Sequence, residues 1–365
     1  MRAVVFTGPG RPVEVREVDL AAPREGEVLV RIAGAGVCHS DLHVWKGEWP
    51  RQVPVVLGHE GSGEVVDVGP GVTGLRPGDH VVLSWIAPCG ECRWCRAGHE
   101  ARCTFAAEVV GPQGVLFDGT TRLSMDGEPV RHYLGVSSWA EYAVVPASGA
   151  IKVRDDAPLD VIALVGCAVA TGVGAVLNTA KVEVGSTVVV IGCGGVGLSI
   201  VQGARLAGAS RIVAVDLVAA KTGIALAVGA TDAVDGSAYD AVDAVRDLLP
   251  EGADYAFDGI GHTATTEQAI RMLGLGGAAV LVGLPPSGAR ASFEPLVLTE
   301  LDGRILGSNY GSIRPARDLP WLVDRYVEGD LMLDELVTAR RPLEAAGDAL
   351  EQLATGQVLR TLLVP

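Results

Sequence analysis

The seven cysteines, Cys38, Cys89, Cys92, Cys95, Cys103, Cys167 and Cys193, carry the most chemistry in this chain. Four of them crowd together as Cys89-x2-Cys92-x2-Cys95-x7-Cys103, with Pro88, Gly90 and Gly98 letting the backbone turn around one centre. The count is odd and the spacing tight, so metal binding is favoured over disulfides. Four thiolates in a tetrahedron make a closed, structural zinc site with no position left for a substrate. An iron–sulfur cluster is the rival, since thiolates hold those as well. The C-x2-C spacing and the presence of a second zinc-type residue set favour zinc.

That second set is spread over three stretches: Gly36-Val37-Cys38-His39-Ser40-Asp41-Leu42-His43, then Gly58-His59-Glu60-Gly61-Ser62-Gly63-Glu64, then Val165-Gly166-Cys167. Cys38, His59 and Cys167 together offer two thiolates and an imidazole, which leaves a fourth position on zinc open for chemistry. Taken singly, each is unremarkable: an isolated Cys is usually a small buried hydrophobe, and an isolated His sits in the core or on the surface. The combination gains weight from a nucleotide site in the same chain.

Gly192-Cys193-Gly194-Gly195-Val196-Gly197 fits G-x-G-x-x-G, after the β-branched run Thr187–Ile191 and before a helix-like stretch, Val196–Ala207. In that context the first Gly permits the tight turn, the second admits a pyrophosphate and the third lets helix and strand pack closely. The helix N-terminus, opened by Gly195 and Val196, adds unpaired N–H groups and a positive dipole end. Asp216 ends the next strand, 216 − 197 = 19 residues after the last Gly. A carboxylate there bonds a ribose 2′-hydroxyl and repels a 2′-phosphate, so NAD is expected rather than NADP. Lys221 is expected to add a ribose contact.

These residues need two kinds of scaffold. The first third alternates short β-rich runs (Val13–Val18, Glu27–Ile32, Gly63–Val68, His80–Ser84) with Gly/Pro turns such as Arg76-Pro77-Gly78-Asp79. It reads as a mostly β domain. From about residue 160 the pattern becomes serial βα alternation, with strands at Thr187–Ile191, Arg211–Val215, Ala253–Phe257 and Ala278–Gly283. That predicts a doubly wound parallel sheet. The tail carries a helix-like run, Leu319–Val327, and a closing strand. Segment Thr104–Leu134 follows no pattern that assigns it.

A chain of 365 residues exceeds one compact core, so two domains are expected. A composition of 48% hydrophobic and 20% charged residues excludes a disordered chain. The net charge of −15 argues against nucleic acid and anionic membranes as partners. Met1–Gly10 holds no long apolar core and no small-residue cleavage site, so no signal peptide is expected and the location is read as cytoplasmic. The nearly uncharged run Leu159–Leu177 is interrupted by Asp160, Gly and Thr171, and is expected to be a buried helix at a domain junction.

Taken together, Gly-Val-Cys-His-Ser-Asp at 36–41, Gly-His-Glu-Gly-x-Gly at 58–63, the four-cysteine loop, the Gly192–Gly197 turn, Val282-Gly283-Leu284-Pro285-Pro286 and the closing Arg360-Thr361 resemble one family over nearly the whole chain. It is the zinc-containing alcohol dehydrogenases of the medium-chain dehydrogenase/reductase superfamily. The resemblance implies an α/β fold: a GroES-like, mostly β catalytic domain (1–168, structural zinc loop 88–104), a Rossmann doubly wound parallel-sheet domain (169–308) and a C-terminal part of the catalytic domain (309–365). It also implies two Zn2+ per subunit and NAD. Carried over, Cys38, His59 and Cys167 ligate the catalytic zinc, with Glu60 beside it. Asp41 orients His59, which raises the ligand's basicity. Ser40 bonds the substrate hydroxyl and His43 ends a proton relay. His39 and Arg360 contact the pyrophosphate, and Val282 belongs to the cofactor site. The family often has Arg where this chain has His39, which puts that contact in question. Trp49, Trp85 and Trp139 fall at positions that line the substrate cleft, pointing to a primary, aromatic-tolerant alcohol or aldehyde.

Two readings compete within the class: oxidation of a formaldehyde–thiol adduct, and a relative that retains NADH and needs an artificial acceptor. A zinc module binding nucleic acid or protein is disfavoured by the negative charge. The expected partners are a small alcohol or aldehyde and copies of the chain itself, as a homodimer or homotetramer. The strand near Gly303–Gly307 is expected at a sheet edge, where it can pair across a two-fold axis.

Overall fold

In a computed structural model describing residues 1–365, the polypeptide divides into two units, Met1–Cys167 with Arg314–Pro365, and Ala168–Ile313. The first unit grows from Glu27–Gly36, whose Val28, Val30 and Ile32 point to one side while Leu29 and Arg31 alternate outward. Period-2 patterning of this kind makes a strand with one buried face. Its antiparallel neighbour on one edge is Glu60–Val68. The other edge pairs Tyr142–Pro146 along its first half and Arg360–Leu363 at its end. The chain's last strand therefore closes beside Gly36, where Val37 N–H donates to Thr361 O at 2.9 Å. His80–Leu83, Ala150–Lys152 and Val337–Arg341 complete this seven-stranded sheet.

A second sheet of six short strands includes Arg2–Phe6, Glu14–Glu17 and Val55–Val56. Its Val4, Phe6 and Val55 share one core with Val28, Leu83 and Trp139. The strands expected at 13–18, 27–32, 63–68 and 80–84 appear as 14–17, 27–36, 60–68 and 80–83. The two longer ones extend because Gly34, Ala35 and Gly36 pair with Ser62, Gly61 and Glu60, where small side chains allow close approach.

The second unit is a six-stranded parallel sheet. Numbered in sequence within the unit, its strands (Thr187–Ile191, Arg211–Asp216, Asp232–Asp235, Ala253–Asp258, Leu273–Leu281, Arg304–Gly307) lie in the order 3-2-1-4-5-6. That is the doubly wound dinucleotide-binding order, whose ligand crevice opens where strands 1 and 4 diverge. Arg304–Gly307 is an edge strand, as expected. The run Leu159–Leu177 is not one helix. A 3₁₀ turn, Val161–Gly166, breaks at Cys167 (φ −143°, ψ −77°), and helix Ala168–Gly174 follows. No helix is long and apolar enough to cross a membrane. The second unit ends at Ile313 rather than at 308, because Asn178 bonds Gly311 O and Thr179 bonds Ser308 and Ser312.

Segment 104–134 resolves into a π turn (Ala106–Val110), a short helix (Gly111–Gln113) and a hairpin (Leu123–Met125, Glu128–His132). The buried Arg122 guanidinium anchors it, bonding Glu27 at 2.8 Å and Asp118 at 2.7 Å. Two carboxylates compensate one buried charge, the condition for tolerating it in a core. Beside it, His132 Nε2 accepts Arg122 N–H at 3.1 Å. Burial, aided by the Arg122 charge, holds His132 down at about 3. The folded state thus binds fewer protons here than the unfolded chain below about pH 6.5. The stability contributed by the neutral ring is complete above that value and is lost as pH falls toward 3. His132→Gln keeps an acceptor that does not titrate. Urea unfolding between pH 6.5 and 4.5 is expected to show the parent losing stability faster than this variant, by up to about 1.4 kcal/mol per pH unit. Parallel slopes would contradict a neutral His132.

Candidate metal and cofactor sites

Strand Glu27–Gly36 delivers the first ligand. The chain leaves it at Val37, and Cys38 caps the helix His39–Trp45 in extended conformation (φ −116°, ψ 158°). Asp41, in the first turn of that helix and wholly buried, reaches back to Cys38 N–H at 3.1 Å. Its other oxygen accepts Gly58 N–H at 3.2 Å and His59 Nδ1–H at 3.3 Å. Gly58 has φ +91°, and a Cβ there would lie 2.3 Å from Trp139 Cδ1, so only Gly can make the turn that presents His59. Cys167 arrives from the break after Val161–Gly166. A Cβ on Gly166 would lie 2.6 Å from Leu83 O, so Gly lets that turn press against the sheet.

The ligand atoms of Cys38, His59, Glu60 and Cys167 all lie within 4.8 Å of one another, and all four residues are buried. His59 Nε2 and both Glu60 carboxylate oxygens lack hydrogen-bond partners. Buried polar atoms are normally paired, so converging orphans of this chemistry fit a cation. Two sulfurs and one nitrogen suit zinc, with Asp41 fixing the tautomer that leaves His59 Nε2 to coordinate. The charges respond to one another. A hydrogen bond from Cys167 and the Arg360 charge hold the Cys38 thiol well below its ordinary value, while Cys167 is pushed up. Burial works against charge on His59, but Asp41 outweighs it and raises the imidazole. Burial lifts Glu60 to about 7, against the pull of Arg360.

The ligand atoms of Cys89, Cys92, Cys95 and Cys103 form a second set within 4.8 Å. Cys89 and Cys95 sulfurs stand 4.0 Å apart, close to the ~3.8 Å edge of a tetrahedron with ~2.3 Å Zn–S bonds. Backbone N–H groups of Cys92, Cys95 and Cys89 point at the sulfurs of Cys89, Cys92 and Cys103, at 3.4–3.5 Å. Such donors stabilise thiolates. The Cys95 N–H draws Cys92 down to about 6, while burial pushes Cys95 and Cys103 up. With no atom other than sulfur in the set, it suits a structural ion.

In the second unit, Gly192 (φ +92°) makes the turn after Thr187–Ile191. A Cβ on Gly197 would lie 1.6 Å from Gly192 O, whereas a Cβ on Gly194 would meet nothing within 4 Å. The crowded glycine packs helix against strand and the open one leaves room for a phosphate. Gly194 caps helix Gly195–Leu206 without a side-chain bond, so the first-turn N–H groups remain available to an anion. Asp216 is held by Cys193 N–H at 2.7 Å and Val218 N–H at 2.9 Å, which fixes its carboxylate at the strand's end. Lys221 lies almost buried in the helix that follows, and Val282 commits its N–H to Asp258 O at 3.0 Å.

Residues 24–155 match the family "Alcohol dehydrogenase GroES-like domain" and 195–328 match "Zinc-binding dehydrogenase". The chain belongs to the zinc-containing alcohol dehydrogenases of the medium-chain dehydrogenase/reductase superfamily. An S-(hydroxymethyl)glutathione dehydrogenase of Escherichia coli O139:H28 is 41% identical over 367 residues, covering 99% of each chain. The benzyl alcohol dehydrogenase of Acinetobacter calcoaceticus superposes with a TM-score of 0.94 at 33% identity, covering 100% of this chain and 98% of that one. A zinc-binding dehydrogenase from Sinorhizobium meliloti 1021, solved with NADP, gives 0.84 at 30% identity, covering 100% and 99%. The chain is thus a zinc-dependent alcohol dehydrogenase with a nicotinamide cofactor.

Two of the residues that the family resemblance assigned are buried. Trp139, expected in the substrate pocket, is 0% exposed, and its indole N–H donates to Gly36 O at 3.1 Å. It packs the core against the Gly58 turn and has no surface to offer a ligand. Arg360, expected at a pyrophosphate, is also buried, with its guanidinium 3.6 Å from both Cys38 Sγ and Glu60 Oε1. There it balances the negative charge of the metal site.

Of the other expected residues, Ser40 stands beside that set. Ser40 Oγ is 3.9 Å from Cys38 Sγ. His43 and Trp49 stack at 4.4 Å, and Trp85 is half-buried against the core. His39 is exposed at the start of its helix. Tyr133 was not singled out in the sequence. Its hydroxyl donates to Ser40 O at 3.1 Å and its ring meets His59 edge-on at 5.6 Å. Asp258 was missed too; it takes Ile260 and Gly261 N–H and the Thr265 and Thr266 hydroxyls, shaping the loop after its strand. An Asp ending an apolar strand before Gly-Ile-Gly was the available signal.

Trp139→Ala is expected to cost about 3–5 kcal/mol of stability, as large core truncations do. Trp139→Phe should leave relative rates across an alcohol panel unchanged; a reordered panel would return Trp139 to the pocket. Metal analysis of Cys103→Ser should find one zinc fewer per subunit with a lowered Tm, whereas His59→Ala should lose turnover while keeping the four-cysteine zinc.

Proposed function

We propose that the chain interconverts primary alcohols, aromatic ones included, and their aldehydes with NAD. Cys38, His59 and Cys167 hold the catalytic zinc, with Glu60 alongside, and Cys89, Cys92, Cys95 and Cys103 hold the structural one. A bound zinc supplies Lewis acidity, which lowers an alcohol's pKa or polarises a carbonyl. The nicotinamide ring supplies the hydride acceptor or donor. Asp41 keeps the His59 ring in one tautomer and orientation. Ser40 Oγ bonds the substrate hydroxyl and passes its proton to His43, which releases it to solvent. His39 and the turn from Gly192 to Gly197 bind the pyrophosphate, Asp216 binds the ribose diol with help from Lys221, and Val282 belongs to the same cofactor site. Trp49 and Trp85 offer aromatic surface to the substrate.

The observation that carries the choice of NAD is the Asp216 carboxylate, pinned by two backbone N–H groups. A fixed negative charge there repels a 2′-phosphate. Asp216→Ser should shift the NAD/NADP ratio of kcat/KM toward NADP by roughly tenfold or more, since one lost charge contact is worth about 1.4 kcal/mol or above. An unchanged ratio would remove Asp216 from cofactor selection.

A second reading is favoured by the 41% identity to the glutathione-adduct enzyme. Such a substrate carries carboxylates and needs a cation near the site. Arg51 lies over the Tyr133 ring, 5.9 Å from its centroid, and makes no ion pair with an acidic residue. Assaying benzyl alcohol, short primary alcohols and formaldehyde with glutathione side by side, with NAD, separates the two. Preference for the adduct, lost in Arg51→Ala, would replace the first reading.

We also infer a cytoplasmic homo-oligomer. Seven cysteines with no disulfide among them suit a reducing compartment, and the edge strand Arg304–Gly307 follows a helix with exposed Leu296 and Val297.

A further inference from the structure

Glu48 has no part in the reading above, yet it is bonded to one of its central groups. It follows the helix His39–Trp45, and its carboxylate takes the Nδ1 of His43. The Trp49 indole covers one face of the same ring, at 4.4 Å and 23° between planes. The imidazole is therefore clamped on one edge and one face. The fold does not need the side-chain bond for this turn. The backbone closes it already, with Glu48 N–H donating to His43 O at 2.9 Å, Trp49 N–H to the same oxygen at 3.2 Å, and Lys46 N–H to Leu42 O at 2.9 Å. The His43–Glu48 pair is half-exposed, where ion pairs add little stability. What the pair does determine is which ring nitrogen carries the hydrogen.

We propose that Glu48 is a positioning residue that holds His43 as the Nδ1–H tautomer, leaving the Nε2 lone pair to exchange the relayed proton. A neutral imidazole has one N–H and one lone pair. An ionised carboxylate only accepts, so it keeps the hydrogen on Nδ1. When the alcohol is oxidised, its hydroxyl proton passes through Ser40 to Nε2, giving an imidazolium whose Nδ1–H still faces Glu48. Nε2 then gives one proton to solvent for each hydride taken up by the nicotinamide. Glu48 stays a carboxylate throughout and stabilises the passing charge. The proposal rests on the relay role of His43 stated above.

The test compares the parent holoenzyme with Glu48→Ala, Glu48→Gln, His43→Gln and the Glu48→Ala/His43→Gln double variant. Measured quantities are kcat and KM for alcohol oxidation, the solvent deuterium isotope effect, and the His43 tautomer by 15N NMR. Glu48→Ala should lower kcat roughly tenfold, a part of what general acid–base groups contribute, with KM unchanged. Its isotope effect should rise and its Nδ1–H signal should weaken in favour of Nε2–H. Glu48→Gln offers an NH2 donor as well as an acceptor oxygen, so it no longer fixes the tautomer; it should lose rate as Glu48→Ala does and show a mixed Nδ1–H and Nε2–H signal. The double variant should be no slower than His43→Gln alone, the mark of two residues acting as a unit. If His43→Gln is slow but Glu48→Ala matches the parent, the positioning role is overturned and the relay stands. If His43→Gln itself runs at the parent rate, the relay is overturned and the role of Glu48 falls with it. A loss of rate in Glu48→Ala with the Nδ1–H signal unchanged would mean that charge, not tautomer, is what Glu48 provides, and would also overturn the proposal.

Discussion

The candidate metal site formed by Cys38, His59 and Cys167 depends on the Asp41 carboxylate. It is wholly buried and accepts from three donors on two separated segments: Cys38 N–H, Gly58 N–H and His59 Nδ1–H. One side chain therefore starts the helix that carries Ser40 and His43, ties down the glycine turn before His59, and sets the tautomer of that ligand. A donor left unpaired in such a place costs about 1–3 kcal/mol, so the two segments hold or fail together. Trp139 completes the arrangement from behind, filling the space that a Cβ at Gly58 would need and bonding Gly36 O.

The same device recurs in the second unit. Asp216 takes Cys193 and Val218 N–H at the end of one strand, and Asp258 takes Ile260 and Gly261 N–H at the end of another. Both lie at the carboxyl ends of parallel strands, where chain ends leave N–H groups unpaired and where ligands bind in this topology. A carboxylate that satisfies the backbone at such a place also fixes its own direction. In the cofactor role proposed for Asp216, a carboxylate held this way cannot move away from an approaching 2′-phosphate.

Around the first metal site, charge is balanced as well as geometry. Two cysteines, a histidine and Glu60 are enclosed with Arg360 as the neighbouring cation. Arg360 stands at the start of the chain's last strand, which pairs beside Gly36. The C-terminal strand thus brings a compensating charge to a centre whose ligands come from the first half of the chain.

Much of this was legible in the primary structure, for a physical reason. The Cys89–Cys103 spacing, the Gly192–Gly197 turn and the β-branched runs are local patterns, in which the residues that act together are also close in sequence. Strand periodicity and glycine demand are local too, so the two kinds of domain and their main strands could be read directly. The convergence of Cys38, His59 and Cys167 could be proposed from residue types, but only the folded sheet brings their ligand atoms within 4.8 Å of one another. Trp139, Arg360 and Tyr133 depended on tertiary structure altogether. Which face of an indole is covered, which carboxylate an arginine meets and which carbonyl a tyrosine reaches are settled by pairing between strands and loops far apart in sequence. Residue type and spacing determined what chemistry this chain carries; packing decided which side chains face that chemistry and which support it from the core.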